Sequence, residues 1–229
     1  MNFKFLIISV VILSGFAGSA FAQQIIQLTP QEFSQEEIDE MKQKAVIITM
    51  NSGTFFIEFF PEDAPNTVHN FLKLVESGYY DGTVFHRIIP GFMIQGGDPN
   101  TKDPDFDQRL WGQGGPGHQI NEEFNSIQHD RGVVSMARGD HKDSAGSQFF
   151  IVHKDSPHLD GKYTVFGRLV PGLPNALNGI ASLETDANNA PLNILEARII
   201  TAKILEPYTS ANISIPDRNQ SIIKSEQRP

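Results

Sequence analysis

Between Phe85 and Pro99 the chain reads FHRIIPGFMIQGGDP. Two side chains in that stretch are equipped for chemistry. Arg87 carries a permanent cation with a planar fork of donors, and Gln95 carries an amide that both donates and accepts. Their neighbours Phe85, Ile88, Ile89, Phe92, Met93 and Ile94 are apolar. Desolvating a guanidinium is costly unless a partner meets it. Arg87 is therefore either a surface residue on a half-buried strand or the one polar point of an apolar groove. Three later segments repeat the mixture: Met136-Ala137-Arg138, Gln148-Phe149-Phe150 and His158-Leu159. Brought together, such segments form an apolar groove with convergent donors, the usual form of a small-molecule or peptide site.

Other chemistries find less support. The 229 residues include no cysteine, which excludes disulfides, thiolate catalysis, cysteine zinc sites and a lipidated N-terminal cysteine. Ser135, Ser144 and Ser147 lack a Gly-x-Ser-x-Gly frame. The glycine-rich GGPGHQ is followed by neither Gly-Lys-Ser/Thr nor a helix, so turns explain it better than a phosphate loop. Six histidines lie between His86 and His158 without helical ligand spacing, and no metal site is expected. A net charge of −9 argues against nucleic acid, whose phosphates require clustered Lys and Arg.

These residues need a scaffold rich in strands. VIITM and TFFIEFF, separated by Asn51-Ser52-Gly53, predict a hairpin. Val68, Phe71, Leu72 and Val75 fall at helical spacing, with Asp63 placed to cap, Pro65 in the first turn and Gly78 as terminator. His69 lies on that helix's polar side and reads as solvated. Downstream, TVFHRII, GFMIQGG, GVVSMAR, SQFFIVH and TVFGRLV predict short strands, and LNILEARIITAKILE a longer β-rich stretch. A second helix is expected around 174–182, and 98–124 reads as a long surface loop. Seventeen phenylalanines against one tryptophan suggest a Phe-rich core or pocket.

The ends of the chain differ in character. Lys4, the apolar run Phe5 to Leu13, and Ala20-Phe21-Ala22 have the layout of a secretory signal peptide over 1–22, so the protein is expected to be exported. An uncleaved anchor is the alternative, because Phe5 to Ala22 is 18 residues without a charge. Residues 23–45 predict a short helical extension, with Ser34 and Glu37 as a capping box and Ile38, Met41 and Ala45 as its apolar stripe. The tail 208–229 is polar, aperiodic and expected to be disordered. Its two N-x-[ST] triplets, at Asn212 and Asn219, are common by chance.

FHRIIPGFMIQGGDP, GVVSMAR, AGSQFFI and LDGKYTVFG occur in this order, and together they resemble the cyclophilin family of peptidyl-prolyl cis-trans isomerases. The similarity runs from about Ala45 to Pro207 and includes APNTVHNFLKLVESGYYDGTVFHR and GGPGHQINEEF. It implies an all-β fold: a closed eight-stranded antiparallel β-barrel capped by two α-helices, over 46–207. It implies an isomerase acting on proline-containing peptides and unfolded protein segments, as a monomer without metal or cofactor. By position, Arg87 resembles the catalytic arginine, and Phe92, Met93, Phe150 and Leu159 the walls of the proline pocket. Gln95, Ala137, Arg138 and Gln148 resemble the residues that hold the flanking peptide, Arg138 through its backbone. The chain departs from the family pattern at His158, where many eukaryotic members have a tryptophan that contacts cyclosporin. Weak or no cyclosporin binding is therefore expected. Tyr163 stands where many members have histidine, and 101–111 is longer than in compact bacterial members.

Overall fold

The computed structural model describes residues 25–173 and 175–208. The expected signal peptide and anchor, and all of the tail after Tyr208, lie outside these residues. The hairpin forms as the sequence predicts: β2 (Ala45–Met50) pairs with β3 (Gly53–Phe59) through a turn in which Gly53 takes φ +136°. Alternation then sets the faces. Val46, Ile48 and Met50 of β2 turn inward with Phe55, Ile57 and Phe59 of β3. The remaining strands of this sheet are β4 (Arg87–Ile89), β5 (Met93–Gly96), β7 (Val133–Met136), β8 (Phe149–Val152), β9 (Val165–Leu169) and β10 (Ile199–Leu205). They follow the order β10-β2-β3-β9-β7-β8-β5-β4, antiparallel at each pairing.

The sheet curls but does not close. The expected closed barrel is instead an open half-barrel whose last strands, β4 and β10, form no ladder with each other. Strand β4 is only three residues long. The chain ahead of it crosses the seam, with the single bridge Val84–Arg198 and bonds from Gly82 N to Ile199 O (2.8 Å), Ile199 N to Thr83 O (2.8 Å) and Phe85 N to Ala197 O (2.9 Å).

Helix α2 (Pro65–Glu76) packs Val68, Phe71, Leu72 and Val75 inward, the stripe its spacing predicts. Phe71 sits at the centre of the core, with the rings of Tyr80, Phe166, Phe149 and Phe59 at 4.9, 5.1, 5.4 and 5.8 Å. Asp63 does not cap this helix. Ala64 is the cap residue, and the free amides of Asn66 and Thr67 donate instead to the carboxylate of Glu123, at 2.9 and 2.8 Å. A carboxylate there also complements the positive end of the helix. Nor is His69 simply solvated: it is half-buried, its ring lies 5.2 Å from that of Phe33, and burial holds its imidazole below the ordinary value.

Helix α1 (Gln35–Lys42) has the reciprocal Ser34–Glu37 capping box and buries Ile38 and Met41. Ala45 already belongs to β2. The second expected helix shortens to α3 (Leu177–Ala181). The stretch LNILEARIITAKILE is not β throughout, since Ile194–Ala197 forms a helical turn, α4, before β10. Residues 98–124 are not simply a surface loop either. Asp98 is buried, 3₁₀ turns form at Pro99–Lys102 and Gln108–Leu110, and β6 (His118–Gln119) pairs in parallel with β1 (Ile26–Gln27). Tyr208, assigned to the tail by sequence, packs against Ala45 and Val170, and its hydroxyl donates to Glu58 at 2.9 Å.

Candidate functional site

The site grows from three adjacent strands. On β4 and β5 Arg87 pairs with Gln95, and Gln95 in turn pairs with Phe150 of β8. This register puts the three side chains in a row on one face of the sheet, away from the Phe71 core. Arg87 is half-buried, and its Nη1 donates to Gln95 Oε1 at 3.4 Å and contacts the Met93 sulfur at 4.0 Å. Both contacts are long, so the guanidinium keeps capacity for a stronger acceptor.

Beside Arg87 lies a second, smaller hydrophobic cluster. Met93, Phe150 and Leu159 are buried in it with Val133, Val152 and Val165, while Phe92, Ala137 and Tyr163 are partly exposed at its border. Gly91 takes φ +76°, turning the chain from Arg87's strand so that Phe92 and Met93 come back beside it. Leu159 and His158 arrive on a 3₁₀ turn, Pro157–Leu159. The exposed His158 ring lies 5.4 Å from Phe92, and Tyr163 meets Phe150 edge-on at 5.7 Å. The eleven residues singled out by sequence thus form one continuous patch.

Two of them have partners that sequence did not suggest. Gln148 is not free to hold a ligand with its whole amide. Its Oε1 accepts from Gln95 Nε2 at 3.0 Å, and its Nε2 donates to the carbonyls of Gly112 (2.8 Å) and Gly114 (2.9 Å). It orients Gln95, and with it the acceptor facing Arg87. Arg138 turns its guanidinium over the Tyr163 ring at 4.9 Å and donates to the Lys162 and Gly139 carbonyls at 3.2 and 2.9 Å. Its neighbour Ala137 ties the site's backbone together by donating N–H to Gln148 O at 2.9 Å.

Sequence reasoning missed the supports behind this patch. His129 is buried and stacks under Phe150 with ring centres 5.9 Å apart. Its Nδ1 pairs with Asp160 at 2.9 Å and its Nε2 with the Ser135 hydroxyl at 3.2 Å, which fixes the ring. Burial holds this imidazole below its ordinary value, with Asp160 opposing. Asp98 anchors the loop that Gln148 reads, its carboxylate accepting from Asn100 N (2.8 Å), Gly112 N (2.5 Å) and Gly114 N (3.3 Å). Asp98 carries a local signal as the cap of the 3₁₀ turn that follows it, but its Gly112 and Gly114 partners, and the Asp160 partner of His129, lie farther along the chain.

Among the described residues no group of three or more His, Asp or Glu side chains could hold a metal ion, and no helix is long and apolar enough to cross a membrane. The arrangement offers a buried apolar cluster with partly exposed aromatic edges and a cation beside it.

The model of the cyclophilin type peptidyl-prolyl cis-trans isomerase family matches residues 45–203. Peptidyl-prolyl cis-trans isomerase B of Bacillus subtilis is 50% identical over 139 residues, 56% of this chain and 90% of that protein. A peptidyl-prolyl cis-trans isomerase of Synechococcus elongatus is 48% identical over 122 residues, 53% of this chain and 77% of its own length. The match to the peptidyl-prolyl cis-trans isomerase-like 2 protein of Gibberella zeae, 42% identical over 69% of this chain, spans only 26% of that longer protein. Among solved structures, a Cryptosporidium parvum cyclophilin type peptidyl-prolyl cis-trans isomerase, crystallised in the presence of the dipeptide Ala-Pro, superposes with a TM-score of 0.62 at 35% identity, covering 71% of this chain and 99% of that one. The family match over residues 45–203 and the superposition on a solved cyclophilin agree, and the chain belongs to the cyclophilin-type peptidyl-prolyl cis-trans isomerase family.

Proposed function

We propose that this protein isomerises X–Pro bonds in exported proteins as they fold, with Arg87 stabilising the twisted amide. Resonance holds such a bond planar behind a barrier of roughly 18–20 kcal/mol. Unaided exchange takes on the order of 10–100 s. Turnover in milliseconds needs about 10⁴- to 10⁵-fold acceleration, or roughly 5–7 kcal/mol. No covalent step is required, only tighter binding of the twisted amide than of the planar one. As the bond twists, the prolyl nitrogen regains its lone pair and becomes an acceptor for a guanidinium. Met93, Phe150, Leu159 and Phe92 clamp the ring while the preceding carbonyl swings. Gln95, oriented by Gln148, and the backbone at Ala137 and Arg138 hold the flanking peptide, and His158 and Tyr163 border the pocket.

The observation that carries this reading is the long 3.4 Å contact of Arg87 with Gln95 beside a buried Met93–Phe150–Leu159 cluster. A cation held by weak contacts at the edge of an apolar pocket is ready for a better acceptor. The test is a protease-coupled proline-peptide assay of the full chain against its Arg87→Ala variant.

Two companion readings concern inhibition and export. Histidine at position 158 presents less apolar surface than an indole, so cyclosporin should inhibit this monomeric enzyme weakly. His158→Trp should strengthen inhibition by roughly tenfold or more, since buried tryptophans dominate interface energies. Nanomolar inhibition of the unaltered chain would overturn this. For export, the mature protein should begin at Gln23, as mass spectrometry of the native N-terminus would show. A membrane-bound chain still beginning at Met1 would favour the anchor instead.

A further inference from the structure

Residues 45–203 carry the family match, yet a wall beside the site comes from outside them. A cavity of about 520 Å³ is lined by Gln95, Ala137 and Gln148, and Ile25 is among its other lining residues. The other lining groups are chiefly glycines and polar side chains such as Asn100, Gln113 and Ser144. Among the described residues, Ile25 is the one branched aliphatic side chain that borders it.

The residues that follow Ile25 fix its place. Strand β1 runs parallel to β6, with Ile26 N donating to Gly117 O at 3.2 Å and Leu28 N to Gln119 O at 2.8 Å. The Gln27 side chain donates to Asn121 at 2.9 Å, and Gln31 N donates to Asn66 Oδ1 at 2.7 Å. Thus positioned, Ile25 remains 59% exposed. A hydrogen-bonded path, Arg87 to Gln95 to Gln148, leads from the proline pocket to the cavity that Ile25 borders. A peptide with its proline beside Arg87 would pass a flanking side chain over that cavity. Covering Ile25 with hydrocarbon removes apolar surface from water, which favours binding.

We propose that Ile25, presented by the β1–β6 ribbon, is a specificity-determining residue that selects large apolar side chains at a position flanking the substrate proline. This rests on the site assigned to Arg87 and its neighbours. Two series of proline peptides, varied among Ala, Leu, Phe and Glu at the second residue before or after the proline, would be assayed by NMR exchange with the full chain. In one series the unaltered chain should favour Leu and Phe over Ala. Ile25→Asp should reduce that preference roughly three- to tenfold, in the range that small changes to an apolar pocket produce, and through KM rather than kcat. Leu28→Asp, on the same segment but outside this cavity, should leave the preference in place. An unchanged preference in Ile25→Asp, an equal loss in Leu28→Asp, or no preference in either series would overturn the inference. Arg87→Ala separates the two ideas. If it abolishes turnover while Ile25→Asp changes nothing, only Ile25 is wrong; if it retains turnover, the site assignment fails and this inference with it.

Discussion

Replacing Arg87 by alanine should lower kcat/KM for a proline peptide by about 10²- to 10³-fold while the protein stays folded. A charged hydrogen bond contributes on the order of 1.5–3 kcal/mol, and more in a dry, preorganised site. The loss should fall on kcat, because the planar ground state offers Arg87 no comparable acceptor. Arg87 is half-buried and its own contacts are long, at 3.4 and 4.0 Å, so the change in stability should stay within about 1 kcal/mol. Arg87→Lys should recover only part of the rate, since an ammonium lacks the planar fork. A kcat/KM within threefold of the unaltered chain would remove Arg87 from the mechanism and leave the pocket as a binding groove.

The largest effect on stability is expected at Gly97, where β5 ends. Gly97 has φ +87°, and a Cβ there would lie 2.4 Å from the Ser147 carbonyl oxygen and 3.1 Å from Gln148 Cα. That carbonyl cannot simply retreat, because it accepts the buried Tyr80 hydroxyl at 3.0 Å, and the Ser147 hydroxyl donates back to Gly97 O at 2.7 Å. Gly97→Ala should therefore cost on the order of 3–5 kcal/mol, read as a lower urea midpoint. Activity should fall as well, since Gln148 follows directly and orients Gln95. Gly91→Ala separates strain from crowding. Its φ is +76° but no atom lies within 4 Å of the added Cβ, so it should show only the backbone cost of about 1–2 kcal/mol. Equal losses at the two glycines would mean that crowding against Ser147 plays no part.

Features whose causes lie close together in sequence were legible. The β2–β3 hairpin follows from Asn51-Ser52-Gly53, the α1 cap from Ser34 and Glu37 three residues apart, and the buried stripe of α2 from its spacing. The odd composition around Arg87 and Gln95 pointed to a groove, and the motifs gave the family. What stayed hidden depends on partners distant in the chain. Glu123 caps α2 from 57 residues beyond Asn66, so local capping rules pointed to Asp63 instead. Gln148 reads as a ligand-holding amide until the Gly112 and Gly114 carbonyls take its donors. The α4 turn hides in a β-branched stretch because Ile194 and Leu195 suit either structure. The closed barrel was an inference from resemblance, and the short β4 leaves the seam open.

That seam has a consequence for how the enzyme fails. Arg87 belongs to the last strand of the sheet, which has a ladder partner on one side only. Its other edge is met by the chain itself, with Ile88 N donating to Asn189 O at 2.8 Å and Phe85 N to Ala197 O at 2.9 Å. Peripheral strands held by a few such bonds exchange their amide hydrogens through local openings, well below the cost of global unfolding. Here, however, Phe85 and Ile88 are fully buried in the core around Phe71, which ties the guanidinium's segment to that core. With no second ladder to hold it, the cation keeps its place through the packing of those two side chains, and catalytic competence lasts as long as they stay in the core.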